Sequence, residues 1–483
     1  MTRAERHVGK AVALTACATL ILAGCANATT KLSGREKTVR SDTTNVSFKD
    51  CGGSCTGDIN GAKYAIKLPK KWNGSLLLYS HGYRFAQPGP PDFGAVSTDA
   101  QVSSTDEDGT GSDPLSQKLL AQGYALAGSS YKSNGWAVAD GVSAGVALHD
   151  KFVKTVGKPK RTYVWGDSLG GLITEIIAER NPSWVDGAAP MCGAVAGPNL
   201  NFDAALDVAF AVKTLIDPAF KLSGYSSIDE ANANWKHAAT LVEKAAGDTA
   251  HGGTAKVLFA AALSGAPSKT GTYDGHDVPS QVKGTVESLL TALAFGTAGR
   301  YELEQRVGGN PSDNTKADYA ARISPAEKSL IETVGGKVET FEAALDAAPR
   351  VAADSAAREA FERLGDTTGD LKAPTLTMHT EDDPLVLVAN ETILLDRAVA
   401  KGAGGDLVQL YVAPPATYSE TTGAPYGAGH CNFTDQQREA LVNTLDIWVR
   451  DDVYPVPLGV AGKFGAGLDP AFTPGPWPSG ATA

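Results

Sequence analysis

The fold is decided by one stretch of the chain, residues 161–180, which reads RTYVWGDSLGGLITEIIAER. Its first part is rich in β-branched and aromatic residues, and its last part places apolar side chains at helical spacing. The sequence therefore predicts a strand that turns directly into a helix at Ser168. Gly166 and Gly170 make so sharp a turn possible, because a Cβ at either position would collide with the neighbouring strand or helix.

Ser168 lies at the tip of this predicted turn. Its hydroxyl is expected at the positive end of the following helix, with the backbone N–H of Leu169 beside it to receive an oxyanion. The pattern Gly-x-Ser-x-Gly between a strand and a helix is typical of a nucleophilic serine. An ordinary turn between a strand and a helix is the alternative interpretation of these five residues.

The rest of the chain alternates strands with helices on either side of a long helical segment. Further strands are predicted at 64–68, 75–79, 125–129, 187–192, 375–379 and 407–412. Repeated strand–helix units favour an α/β fold, a mostly parallel sheet with helices on both faces. Residues 198–371 contain no convincing strand and predict an all-helical insertion of domain size, with helices at 202–215, 228–246, 282–295 and 325–345.

A serine hydroxyl is a poor nucleophile at neutral pH, so Ser168 needs a base and a group that orients the base. The candidate base is His430, in the loop beyond strand 407–412, and the candidate acid is Asp383, just past strand 375–379. Glu381 and Asp382 adjoin Asp383 and are alternatives for the acid. In the alternative interpretation, His430 simply belongs to a turn that leads into the last helix.

The turn at 166–170, the strand-ending His81-Gly82, and the later acid and histidine resemble the α/β-hydrolase superfamily. The resemblance covers about residues 47–197 and 372–452, as two halves of a hydrolase core. It implies that the inserted helices at 198–371 form a cap over the active site. Within that cap, the apolar segment 204–212 is expected either to pack in the cap's own core or to line a pocket.

The resemblance also implies a role for each site residue. Ser168 would be the nucleophile, His430 the general base and then acid, and Asp383 the orienting carboxylate. The N–H groups of Tyr83 and Leu169 would bind the oxyanion, although the sequence before Tyr83 differs from the His-Gly-Gly-Gly form of many lipases and esterases. No metal or organic cofactor is implied.

The first 24 residues carry basic side chains followed by an apolar run, which predicts a secretory signal peptide. The run ends in Leu-Ala-Gly before Cys25, which resembles a bacterial lipobox and implies a lipid anchor on Cys25, with free secretion as the alternative. Residues 25–46 are predicted to be a flexible tether. Residues 453–483 form a Pro/Gly-rich tail that either wraps the surface or stays mobile. The expected localisation is therefore the outer face of the membrane or the exterior.

The charge balance bears on possible partners. Lys and Arg number 43 against 54 Asp and Glu, a net charge of −11. Residues 1–24 hold three of the basic and one of the acidic residues, so the mature balance is 40 against 53, or −13. The sequence therefore predicts no nucleic-acid partner, because a chain of net negative charge would repel a polyanion.

Four cysteines remain after residue 25, at positions 51, 55, 192 and 431. An even number in an exported protein predicts two disulfides, with three possible connectivities. In the fold that the sequence resembles, Cys192 and Cys431 both lie near Ser168. The resemblance therefore implies the pairs Cys192–Cys431 and Cys51–Cys55.

The sequence as a whole predicts an exported serine hydrolase that cleaves a small-molecule or polymer ester with an apolar portion. A serine peptidase or aminopeptidase of the same fold is the first alternative. Its candidate amine-binding segment is Tyr301-Glu302-Leu303-Glu304. A catalytically inactive binding protein is the second alternative. The oligomeric state is left open.

Overall fold

The structure is a computed structural model that describes residues 53–107, 109–265, 273–418 and 426–478. The predicted signal peptide and tether, together with Cys25 and Cys51, lie outside these residues. None of the helices in the described part of the chain combines the length and the apolar character that crossing a membrane requires.

One eight-stranded sheet organises the described chain. Its strands are β1 (Ser54–Ile59), β2 (Ala62–Lys67), β3 (Ser75–Ser80), β4 (Ala125–Ser129), β5 (Arg161–Asp167), β6 (Gly187–Met191), β7 (Thr375–Thr380) and β8 (Leu407–Val412). They lie in the order β1-β2-β4-β3-β5-β6-β7-β8. The β1–β2 and β2–β4 pairs are antiparallel and the other pairs are parallel. The predicted α/β class, with a mostly parallel sheet, is confirmed.

Strand β1 was missed by the sequence prediction. Its residues, SCTGDI, do not alternate apolar and polar side chains, because β1 is an edge strand that is largely exposed. The signal that could have found it is the two-residue turn Asn60-Gly61, whose φ angles of 57° and 88° suit a tight hairpin. This turn pairs Ile59 with Ala62 and fixes the register of β1 on β2.

Helices cover both faces of the sheet. They are α1 (Pro114–Ala121), α2 (Val138–Thr155), α3 (Leu169–Arg180), then the helices of the insertion, and finally α12 (Asn390–Ala400), α13 (Asp435–Asp451) and α14 (Pro457–Phe464). On one face, α2 and α3 pack against alternate strand residues such as Leu76 and Val164. On the other face, α1, α13 and α14 pack against the intervening residues, such as Leu77 and Trp165. Successive side chains along each strand point to opposite faces of the sheet, so each strand contributes residues to the core on both faces.

Within the described residues, eight helices lie between β6 and β7, and most of them build a separate core around Phe210, Phe220 and Phe259. They are α4 (Pro198–Leu215), α5 (Ile228–Ala246), α6 (Gly253–Ala262), α7 (Val278–Ala294), α8 (Arg300–Val307), α9 (Pro325–Thr333), α10 (Val338–Ala347) and α11 (Ser355–Gly365). A π-helical turn, Phe295–Gly299, joins α7 to α8. Within the described residues of the insertion, the extended segment is the two-residue strand Tyr273–Asp274, which pairs with Thr417–Tyr418.

The single helix predicted at 325–345 is wrong, because α9 and α10 are separated by a turn. Gly335 has a φ of 82°, which a continuing helix does not allow. A Cβ on Gly336 would lie 2.5 Å from Ile331 Cγ2, so the chain turns tightly against the end of α9.

The described part of the C-terminal tail wraps the surface. Helix α14 buries Phe464 on the sheet, and Trp477 is buried further along the chain. The main-chain N–H of Ala413 donates to Gly467 O at 2.7 Å, and that of Asp469 donates to Tyr411 O at 2.9 Å. The tail therefore adds main-chain contacts along β8.

Candidate active site

The turn at Ser168 joins β5 directly to α3. Ser168 has φ 60° and ψ −123°, a conformation that residues other than glycine rarely adopt. A Cβ on Gly166 would lie 2.4 Å from the carbonyl oxygen of Ser80, and a Cβ on Gly170 would lie 2.0 Å from it. Both glycines are therefore needed for β3, β5 and α3 to meet at this point, as the sequence predicts.

Three side chains from distant parts of the sequence meet at this turn. His430 Nε2 lies 2.8 Å from Ser168 Oγ, and His430 Nδ1 lies 2.7 Å from Asp383 Oδ2. In the tautomer that fits both contacts, Ser168 donates to Nε2 and Nδ1–H donates to the carboxylate. The arrangement can move a proton from the serine hydroxyl to the imidazole while the carboxylate stabilises the ring.

Asp383 is fully buried in the loop after β7. Its Oδ1 accepts hydrogen bonds from the main-chain N–H groups of Leu385 at 2.8 Å and Val386 at 2.9 Å. Burial alone would raise the pKa of this carboxyl, but the adjacent His430 and His379 lower the pKa well below its usual range. Asp383 is thus held in place and ionised.

Glu381 and Asp382, the two alternatives for the acid, make different contacts from Asp383. Glu381 donates its main-chain N–H to Val412 O at 3.0 Å, and the carbonyl of Asp382 accepts from Gly429 N at 2.9 Å. Asp382 therefore supports the loop of His430 through its backbone, whereas the Asp383 side chain contacts the imidazole itself.

Cys192 and Cys431 form a disulfide, with 5.4 Å between their Cα atoms. Cys192 directly follows β6 and Cys431 directly follows His430, so the bond ties the histidine loop to the centre of the sheet. Both cysteines have positive φ angles, 42° and 52°. The other predicted pair includes Cys51, which the structure does not describe, and stays a prediction.

Arg438 on α13 links the histidine loop to the serine turn. Its guanidinium donates to the carbonyl oxygens of Cys431, at 2.9 Å, and Phe433. The same group lies 3.7 Å from the carboxylate of Asp167, which also accepts from the Tyr79 hydroxyl at 2.8 Å. Sequence reasoning missed Arg438. The signal was a charged residue on the apolar stripe of an amphipathic helix, which is rare unless the charge is paired.

The predicted oxyanion donors follow β3 and begin α3. A Cβ on Gly82 would lie 3.3 Å from Ser168 Cβ, so the segment that carries Tyr83 passes close to the serine. His81 stacks on Tyr131 with 3.9 Å between ring centroids, and the Tyr131 hydroxyl donates to His81 O at 2.8 Å. Burial lowers the pKa of His81 to about 3, so its ring is neutral and packs this segment. The oxyanion roles of Tyr83 and Leu169 stay predictions.

Two pockets open on Ser168. The first, of about 690 Å³, lies between the sheet and the inserted helices, and its lining is mainly apolar: Trp136, Phe202, Val208, Phe295 and Leu385 belong to it. The second, of about 1130 Å³, includes His430 and more polar side chains: Gln101, Ser104, Asp167, Thr291 and Arg438. The apolar segment 204–212 on α4 serves both of its predicted purposes, since Val208 lines the first pocket and Phe210 lies in the core of the insertion.

The segment considered for amine binding is engaged elsewhere. Glu302 accepts hydrogen bonds from Trp136 N at 2.9 Å and from Arg306 Nε at 2.8 Å. Glu304 accepts from Gly224 N at 2.7 Å, and burial raises the pKa of its carboxyl. Neither glutamate lines the two pockets that contain Ser168.

The strand order of the sheet and the sequence order Ser168, Asp383, His430, with each residue placed beyond the carboxyl end of a strand, define an α/β-hydrolase. Residues 58–327, more than half of the chain, match the model of the Tannase-like family of unknown function (DUF6351), and the chain belongs to that family. It is accordingly a hydrolase.

Individual relatives are distant. An o-phthalyl amidase from Xanthobacter agilis is 23% identical in an alignment of 431 positions that covers 80% of this chain and 85% of the amidase. Among solved structures, an esterase from Aspergillus oryzae has a TM-score of 0.38 and 13% identity, over 82% of this chain and 78% of the esterase. Feruloyl esterase B from Aspergillus oryzae has a TM-score of 0.35 and 11% identity, over 86% of this chain and 87% of that protein.

Proposed function

We propose that this protein is a serine hydrolase that cleaves carboxylic esters through an acyl-enzyme on Ser168. The observation that carries the proposal is the continuous chain of contacts from Ser168 Oγ through His430 to Asp383, at 2.8 Å and 2.7 Å. These are the distances at which a base activates a serine hydroxyl and an acid orients the base.

The reaction follows from these contacts. The Oγ–H proton of Ser168 passes to His430 Nε2 as Oγ bonds to the substrate's carbonyl carbon, and the resulting oxyanion is bound by the N–H groups of Leu169 and Tyr83. When the tetrahedral intermediate collapses, the bond to the alcohol oxygen breaks and His430 protonates that oxygen. Water then attacks the acyl-enzyme and gives a proton to His430. As the bond from the acyl carbon to Ser168 Oγ breaks, His430 returns this proton to Oγ, which releases the acid and the free serine.

The pockets give the substrate an orientation. The leaving oxygen must receive its proton from His430, and His430 lines the second, more polar pocket. The leaving group therefore belongs in that pocket and the acyl group in the apolar pocket beneath the inserted helices. In this proposal the insertion acts as a cap, and the preferred substrate has an apolar acyl group.

Amide cleavage is the second candidate, and the name of one relative, an o-phthalyl amidase, favours it. The same steps would release an amine instead of an alcohol. The more specific aminopeptidase version has less support, because both carboxylates of its candidate amine site are already hydrogen-bonded away from Ser168. A catalytically inactive binding protein is disfavoured by the assembled Ser168, His430 and Asp383.

One set of assays decides among these candidates. Purified protein is given p-nitrophenyl esters of graded acyl size beside p-nitroanilides of the same acyl groups. We expect higher kcat/KM for the esters, and far higher values for the anilides would refute the esterase. Failure of Ser168 to react with a fluorophosphonate would instead support the inactive binding protein.

Two pocket variants test the orientation. Ala205→Leu narrows the apolar pocket and is expected to raise KM for esters with large acyl groups while leaving p-nitrophenyl acetate nearly unchanged. Thr291→Leu alters the other pocket and serves as the matched control, with its effect on the alcohol and not on the acyl group. The reverse pattern would exchange the two assignments.

The export of the protein is also a proposal. Its support is the sequence of residues 1–25 alone, which predicts a signal peptide and a lipid on Cys25. On this basis the hydrolase would act outside the cytoplasm.

A further inference from the structure

A second histidine, His379, lies directly behind Asp383. It is the fifth residue of β7, and its side chain is fully buried. His379 Nδ1 lies 3.2 Å from Glu391 Oε1, while Nε2 lies 2.9 Å from the carbonyl oxygen of Val386 and 3.6 Å from Asp383 Oδ2. Both ring nitrogens therefore face oxygen atoms.

The chemistry of these neighbours fixes the number of protons on the ring. A carbonyl oxygen and an ionised carboxylate accept hydrogen bonds and donate none. A neutral imidazole has one N–H and one lone pair, so with ionised neighbours one of its nitrogens would face an acceptor without a proton between them. Only the imidazolium, with two N–H groups, donates to both sides.

The carboxylate of Glu391 accepts hydrogen bonds from side chains, as a buried anion would. Its Oε2 accepts from the Thr377 hydroxyl at 2.6 Å and from Gln409 Nε2 at 2.8 Å. Hydrogen bonds donated to a carboxylate favour its ionised form. Burial alone would lower the pKa of His379, but Asp383 and Glu391 together raise this pKa to about 10.

We propose that His379 is a positioning residue, an imidazolium buried between Glu391 and Asp383 that fixes the Asp383 carboxylate and offsets part of the negative charge presented to His430. The inference rests on the proposed function, because it concerns the base in that reaction. A buried carboxylate with no counter-charge would hold a proton on His430 more firmly, and protonated His430 cannot accept the proton of Ser168. The positive charge on His379 therefore keeps His430 in its basic form at lower pH.

The other titratable groups that face this cluster are Glu175 on α3 and Tyr411 on β8. Burial raises the pKa of each well above its usual value, and the charge of Glu391 adds to this effect. Both shifts favour the uncharged form of the group. The charges that alternate through the cluster are then Glu391 negative, His379 positive and Asp383 negative, with His430 next in line.

The first test measures how fast a fluorophosphonate inactivates the enzyme as a function of pH. His379→Gln keeps a hydrogen-bond donor near Val386 O but removes the charge. In this variant the acid limb of the profile, where the rate falls as the pH is lowered, is expected to move to higher pH by about one unit. The reaction at pH 6 would then be about tenfold slower. A loss by the same factor at every pH, with no shift, would mean that His379 only packs the site, and would overturn the inference.

A charge-matched control separates electrostatics from packing. Glu391→Gln removes the opposite charge from the same cluster and is expected to move the acid limb downward. The double variant, His379→Gln with Glu391→Gln, keeps the net charge of the wild type and is expected to return the limb toward its original position. A double variant that shifts as far as His379→Gln alone would contradict the proposal.

A measurement on the unmodified protein stands apart from all variants and from the activity. In ¹⁵N spectra of histidine-labelled wild type at pH 8.5, ordinary histidines are neutral, and one histidine is expected to keep both ring N–H groups. If every histidine has lost a proton at that pH, the inference is wrong. If the imidazolium is present but the fluorophosphonate never reacts with Ser168, the proposed function fails while the charge of His379 is established.

Discussion

The disulfide between Cys192 and Cys431 is expected to support catalysis as well as stability. The bond adjoins His430, and the loop around it contains Gly427 and Gly429, both at positive φ. Replacing both cysteines, as Cys192→Ser with Cys431→Ser, removes the bond without leaving a free thiol. The loop would then be held by its hydrogen bonds alone.

The magnitude follows from the loop length and the remaining contacts. A sequence separation of 239 gives a chain-entropy contribution of at most about 5.5 kcal/mol to the free energy of unfolding. Several contacts of the loop survive in the variant, among them three to neighbouring segments: Gly429 O accepts from the Thr380 hydroxyl, Gly429 N donates to Asp382 O, and Arg438 donates to the carbonyl of residue 431. They limit the drift of His430, so we expect kcat to fall about tenfold to a hundredfold, the cost of a displacement near 1 Å.

Guanidinium unfolding and p-nitrophenyl ester kinetics measure the two effects on the same samples. Reductant would also break any disulfide that Cys55 forms, so wild type with reductant is compared with the double serine variant. In the control, reductant is added to the variant and should leave its kcat unchanged. Lower stability with unchanged kcat would refute the catalytic part of the reasoning. Unchanged stability and unchanged kcat would refute all of it.

Four further predictions concern single residues. Ser168→Ala should lower kcat/KM by about 10³-fold to 10⁶-fold, and more than a tenth of the activity left would remove Ser168 from the mechanism. Asp383→Asn should cost about 10⁴-fold by stabilising the wrong histidine tautomer, whereas Asp382→Asn should be mild, since Asp382 supports the loop through its carbonyl. The opposite ranking would transfer the acid role. The pKa of His379 is raised to about 10 from about 6.5 in an unfolded chain, so its stabilisation is complete below about pH 6.5 and is lost as the pH rises through about 10. Urea titrations should therefore show a steeper loss of stability from pH 7 to 10 in wild type than in His379→Gln, and equal slopes would argue against the ion pair. Cys25→Ser should release active protein from membranes, and a wild-type mass without lipid would contradict the anchor.

Much of the fold could be predicted because its signals are local. The stretch around Ser168 contains a strand, a glycine-framed turn and a helix within twenty residues, and each is set by the side chains at that place. The strands that precede Asp383 and His430 were found in the same way. Helices α6, α8, α11 and α14 were missed, as were β1 and the turn between α9 and α10. The last two depend on turn geometry at Asn60-Gly61 and Gly335-Gly336, a signal that periodicity does not contain.

The sequence by itself determined the order of Ser168, Asp383 and His430 and the chemistry that those residue types allow. Only the tertiary structure decided which partners surround them: Glu391 and Asp383 on either side of His379, Arg438 on the carbonyls of the histidine loop, and the two pockets that open on Ser168. The physical reason is distance along the chain. Periodicity reports how a residue faces its own element, whereas the charge on a buried histidine or the shape of a pocket depends on atoms brought together from segments far apart in sequence.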